Sequence, residues 1–125
     1  MPLFVWVGIG GFLGSVSRYF VGGWVLRFFA KPWLPYGTIT VNILGCFIIG
    51  VLHALFEVRN ITGLEVRSFL FIGILGGFTT FSTFGYEAFG MIRNGHFLAT
   101  TTYLVSQLVL GIIGVWLGDL LIRSL

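Results

Sequence analysis

The chain has 125 residues, 57% of them apolar and only 9% charged, with a formal net charge of +3. A soluble domain carries about 25% charged residues, so this composition excludes an ordinary globular protein and points to an all-α integral membrane protein. The basic residues are scattered at helix ends, where they anchor to headgroups, and no nucleic-acid partner is expected.

A spanning helix needs about 20 mostly apolar residues. The chain therefore has room for four transmembrane helices in a single domain, 1–125, and no soluble domain or dividing linker. Cys46 is the one cysteine, which excludes an internal disulfide and a paired-thiol metal site. No basic segment precedes the first apolar run, so that run is read as a retained span rather than a signal peptide.

Helix 1 is expected from about Leu3 to about Phe29. Gly10 and Gly14 stand at the spacing that lets another helix approach closely. Arg18 is too far from either end to be an ordinary cap. A charge at that depth faces the bundle interior or water, unless the helix ends early near Trp24 and the side chain snorkels. Lys31 to Pro35 reads as a short loop with an interfacial tryptophan.

Helix 2, from about Tyr36 to Phe56, carries Thr38, Asn42 and Gly45 in one stripe. An asparagine in hydrocarbon needs partners. It either ties two helices together or lines a pore. His53 is read as interfacial, since no second imidazole or carboxylate stands at metal spacing in its helix.

Glu57 to Arg67 is the most polar segment. Thr62 and Glu65 have capping-box spacing, which places the start of helix 3 at about Val66, with its end at about Ile92. The stretch Gly76-Gly77-Phe78-Thr79-Thr80-Phe81-Ser82-Thr83-Phe84 makes poor continuous helix, because glycine costs roughly 1 kcal/mol against alanine and hydroxyls compete for backbone partners. A break near the middle of helix 3 is expected there. In a bilayer it is tolerated only where the freed backbone faces protein, an ion or a water-filled cavity, which makes it the first candidate site. Glu87 is either a deep functional charge or a residue near an aqueous mouth.

Arg93 to His96 forms the next turn. Helix 4, from about Phe97 to Leu121, carries Thr100, Tyr103 and Gln107 in line and then Gly111, Gly114 and Gly118 for packing. Asp119 and Arg123, four apart, are expected as a surface ion pair. Arg59, Arg67 and Arg123 fall on one side of the membrane and Arg27, Lys31 and Arg93 on the other, three against three. The positive-inside rule then gives no preferred orientation, which allows an antiparallel pair.

No phosphate-binding loop, HExxH helix or nucleophile elbow is present, so no enzyme is expected. What remains is a lining of hydroxyls, an amide, two phenylalanines and a deep arginine around a broken helix, the hardware of ion and solute pathways. Four helices are too thin to surround a pore and satisfy its lining, which calls for a dimer. Left to themselves, Phe81 and Phe84 read as packing.

Three stretches resemble the signatures of the small Fluc fluoride channels, also called CrcB proteins. They are Gly10-Gly11-Phe12-Leu13-Gly14-Ser15-Val16-Ser17-Arg18-Tyr19, Pro35-Tyr36-Gly37-Thr38-Ile39-Thr40-Val41-Asn42-Ile43-Leu44-Gly45, and the Gly76 to Phe84 stretch above. The resemblance implies a passive fluoride-selective channel in the bacterial cell (inner) membrane, built as an antiparallel dual-topology homodimer with two pores. It also implies a central structural sodium ion held by backbone carbonyls, here those of Gly76 and Thr79. The pore residues it implies are Phe81, Phe84, Asn42, the deep Arg18, the hydroxyls of Ser82 and Thr83, and Tyr103 on helix 4, with Glu87 near a pore entrance. Thr38 joins them from the polar stripe of helix 2. Two alternatives remain at this point: a small dual-topology multidrug or cation exporter, for which Glu87 is the only acid that could serve, and a structural subunit whose polar residues merely join helices.

Overall fold

In the computed structural model, residues 1–29 and 32–125 are described, and four helices among them are long and apolar enough to cross a membrane. The spans are Leu3–Leu26, Tyr36–Val58, Leu64–Arg93 and Phe97–Arg123. We label the first two α1 and α2 and the fourth α6. The third is composite: α3 (Leu64–Arg67), a π-helical segment (Ser68–Leu75), α4 (Gly76–Phe78) and α5 (Phe81–Arg93).

Helix ends follow local chemistry, and two differ from expectation for visible reasons. α1 stops at Leu26 rather than near Phe29. Arg27, Phe28 and Phe29 turn their amides to carbonyls three residues back, at 3.1 to 3.2 Å, which tightens the chain out of the α-helix. The loop expected from Lys31 begins outside the described residues; within it Trp33 is exposed and Leu34 buried. The capping box at Thr62 does not form. α3 begins at Leu64, so Gly63 takes the cap position with no side-chain bond, and Thr62 stands one residue too early.

Two connections close on left-handed residues. Asn60 (φ 51°) lets Ile61 N–H reach back to the Phe56 carbonyl at 2.9 Å. Gly95 (φ 75°) does the same for His96 and Met91, which makes the expected Arg93–His96 turn.

Packing places the spans. α1 lies against the π-helical segment and α4, and α2 against α6. The first contact rests on glycine: a Cβ on Gly73 would stand 2.8 Å from the Gly10 Cα, and one on Gly77 would stand 2.6 Å from the Gly11 carbonyl. The small-residue spacings in the first and third spans are therefore two halves of one seam. In the second contact, Cβ atoms on Gly50 and Gly118 would overlap backbone of the facing helix. Large apolar side chains such as Leu98, Leu108, Ile112 and Trp116 of α6 point outward, the reverse of a water-soluble bundle.

The third span bends between α4 and α5. Thr79 (φ −84°, ψ 158°) and Thr80 (φ −150°, ψ 121°) are extended, so two residues leave the helical ladder in mid-span.

Candidate functional site

The bend leaves backbone groups that must find other partners, and side chains from two other elements, α1 and α2, supply them. Thr79 still donates its N–H to the Leu75 carbonyl at 3.0 Å, but Thr80 does not continue the ladder. Its N–H donates instead to Asn42 Oδ1 at 2.9 Å, and its carbonyl accepts from Asn42 Nδ2 at 3.1 Å. One side-chain amide thus answers both backbone groups of one residue. The second Nδ2 hydrogen goes to Gln107 Oε1 on α6, at 3.0 Å. Arg18 of α1 donates from Nη1 to the Thr79 carbonyl at 3.3 Å.

The helix resumes because Thr80 caps it. Its Oγ1 accepts from the Thr83 N–H at 3.2 Å and bonds the Thr83 hydroxyl at 3.0 Å. A cap of this kind satisfies one of the orphan amides of a helix start.

With Thr80 N–H turned to Asn42, the Gly76 carbonyl loses the donor that an unbroken helix would give it, and Gly76 lies exposed at the surface of the chain. The Thr79 carbonyl carries one bond from Arg18 and has a second lone pair. Carbonyl oxygens suit a hard cation, so the donor chemistry fits sodium at these two positions. Among the described residues there is no cluster of His, Cys, Asp or Glu that could hold a metal.

Beyond the bend, Phe81 and Phe84 of α5 stand with ring centroids 5.6 Å apart. Phe81 is 83% exposed, whereas Phe84 packs on Tyr103 at 5.2 Å. Asn42, Phe81, Phe84, Leu104, Gln107 and Leu108 line a cavity of about 350 Å³. Phe81 and Asn42 also border a second one, of about 350 Å³, which runs along Gly76, Thr79 and Thr80. Ser82 and Thr83 are exposed on α5 beside them.

One and a half turns along α5, Glu87 is held from two sides. The Thr38 hydroxyl donates to Oε1 at 2.8 Å and the Tyr103 hydroxyl to Oε2 at 2.5 Å. Tyr103 is fully buried and Thr38 nearly so. A deep carboxylate is costly unless its lone pairs are met, and here each oxygen has a donor.

The structure therefore brings Asn42, Phe81 and Phe84 to one cavity, joins Thr38, Tyr103 and Glu87 in one cluster, and sets Arg18, Gly76 and Thr79 around the bend. Sequence reasoning did not single out Thr80, whose three-residue spacing to Thr83 was the available signal. It had placed Gln107 in the polar line of the fourth span but not against Asn42.

Comparison with known proteins comes from two directions. The family model described as CrcB-like protein, Camphor Resistance (CrcB), matches residues 5–119. A protein of Chloroflexus aurantiacus named fluoride-specific ion channel FluC is 43% identical, with 90% of this chain and 88% of the relative aligned. The protein of that name from Rhizobium etli is 41% identical over 95% of this chain and 94% of its own. Fluoride-specific ion channel FluC 3 of Methanosarcina barkeri is 40% identical over 90% and 83%.

Proposed function

The chain belongs to the CrcB-like family, and from that membership we propose that it is a fluoride-selective channel, not an enzyme, that lets fluoride leave the cell passively. The observation that supports this reading best is the bend at Thr79–Thr80, clamped by Asn42 and opening beside Phe81 and Phe84 onto a cavity. Irregular backbone at membrane depth is tolerated where it borders protein or a polar path.

In this reading the third span is discontinuous, and an anion passes along Phe81, Phe84, Ser82 and Thr83. Phenyl rings carry a positive edge, which offers an anion weak contacts without trapping it. Asn42 and Tyr103 line the same route, and Glu87 with Thr38 forms its far end. Arg18 stands by the bend.

The channel is an antiparallel dual-topology homodimer with two pores in the cell inner membrane. Phe81 and Gly76 lie exposed on the lone chain, as surfaces that a second copy would cover. The Gly76 and Thr79 carbonyls of both copies would hold the structural sodium ion, which supplies positive charge where mid-membrane carbonyls converge.

Purified protein in liposomes is expected to release trapped fluoride, followed with a fluoride electrode, while chloride release is much slower. Equal rates for the two ions would remove the selectivity claim, and no release of either would remove the channel.

A further inference from the structure

Asn42 has no donor left for an anion. Its Nδ2 carries two hydrogens, one on the Thr80 carbonyl at 3.1 Å and one on Gln107 Oε1 at 3.0 Å, and its Oδ1 accepts from Thr80 N–H at 2.9 Å. Both hydrogens of this amide are engaged in holding the bend and its neighbour.

The opposite holds for Gln107. Its Nε2 brings two hydrogens, is shielded from solvent and has no hydrogen-bond partner. A shielded donor without an acceptor is destabilising, and such a group calls for an ion or molecule that comes to it. The acceptors nearest to it already hold one donor each, Asn42 Oδ1 from Thr80 and the Glu87 oxygens from Thr38 and Tyr103, and the Tyr103 hydroxyl stands near Gln107 without a hydrogen bond between them. Reversing the amide would set Gln107 Nε2 against Asn42 Nδ2, donor against donor, so Asn42 decides which end of Gln107 is free.

Gln107 also lines the cavity of Phe81, Phe84, Leu104 and Leu108. The terminal torsion of glutamine is broad, and a small turn about it tips the NH₂ toward a guest in that cavity while Oε1 stays within reach of Asn42 Nδ2. The guest that relieves two unpaired N–H groups is a small acceptor without donors of its own, which a monatomic anion is and a cation is not.

We propose that Gln107 is the residue that hydrogen-bonds the permeating anion beside Phe81 and Phe84, and that Asn42 is a positioning residue that orients it. The proposal rests on the anion-channel reading for its substrate. Its chemistry, a charge-assisted N–H to anion bond, is stronger than a neutral pair.

The test is a fluoride titration of the detergent-solubilised parent protein, followed through the side-chain amide ¹⁵N–¹H resonances. The Gln107 NH₂ signals are expected to shift and saturate while those of Asn42 stay in place. Shifts at Asn42 with none at Gln107 overturn the assignment. In Asn42→Asp, whose carboxylate offers an acceptor to Gln107, the amide turns over and its response to fluoride is expected to vanish. A response equal to the parent's would show that Asn42 positions nothing.

In liposomes Gln107→Met, which keeps the length and removes the donors, is expected to lower fluoride release about ten- to hundredfold relative to the parent, the worth of one hydrogen bond to a charge. Parent-level release overturns the role. If the parent itself releases no fluoride, the channel reading fails, while the titration still reports whether Gln107 holds the anion.

Discussion

At Asn42 the second span is joined to the third and fourth by amide and backbone groups set inside the bundle; at Glu57, about four turns further along the same helix, it is joined to the fourth by charges open to solvent. Arg123 bonds Glu57 there and also Asp119, through Nε at 2.8 Å, and His53 stands 3.7 Å from Glu57. The inner network is neutral, and its two bonds to Thr80 replace ones that the bent backbone gave up. The outer one is ionic and replaces only contacts with water and headgroups. The contrast is that partners matter in proportion to what the group would otherwise face. Glu87 sharpens this, because it is a charge on the inner side, and it is kept there by two hydroxyl donors rather than by a cation.

The largest effect is expected where the most backbone would be orphaned. Asn42→Leu keeps much of the volume but strips the Thr80 N–H, the Thr80 carbonyl and Gln107 Oε1 of their partner, at a cost of about 1–3 kcal/mol for each group left unsatisfied. Reversible unfolding in mixed micelles measures this. A loss below about 0.6 kcal/mol, the average for a single hydrogen bond between membrane helices, would mean that the bend holds itself and that the amide is incidental.

Next comes a single hydroxyl. Tyr103→Phe preserves the ring against Phe84 and removes only the donor to Glu87 Oε2. A hydrogen bond to a charged group is worth about 1.5–3 kcal/mol, so this variant falls between the other two. Adding Glu87→Gln should recover part of the loss, because the charge that needed the donor is gone. If the two losses simply add, the pair is not acting as one unit.

How much of this could be read in advance differs by kind of information. The spans were legible because hydrocarbon demands long apolar runs, and the bend falls within Gly76 to Phe84, where glycines and hydroxyls weaken the helix. The glycine seam was half legible: Gly10 and Gly14 announced close approach, but not that Gly73 and Gly77 of the third span would be what approaches them. The π-helical segment Ser68–Leu75 is apolar and carries no local mark of its wider turn. The link from Asn42 to Gln107 spans 65 positions, and that from Glu57 to Arg123 spans 66. Such pairings depend on how each helix is rotated about its axis, which the seams decide and local spacing does not. Thr80 was missed because its role as cap exists only once Thr79 has left the helix.

The smallest effect tests the other half of the contrast. Arg123→Gln breaks the bonds to both Glu57 and Asp119 and leaves two carboxylates without their cation. All three side chains keep between 31% and 53% of their surface open, so water and salt replace the lost partner. Unfolding in mixed micelles is expected to match the parent within error, and fluoride release from liposomes to be unchanged, at low and at high salt. A loss as large as that of Tyr103→Phe would place Glu57 and Arg123 in surroundings as dry as those of Glu87. The ends of the second and fourth spans would then be held by the same physics as their middles, and exposure would no longer separate the two networks.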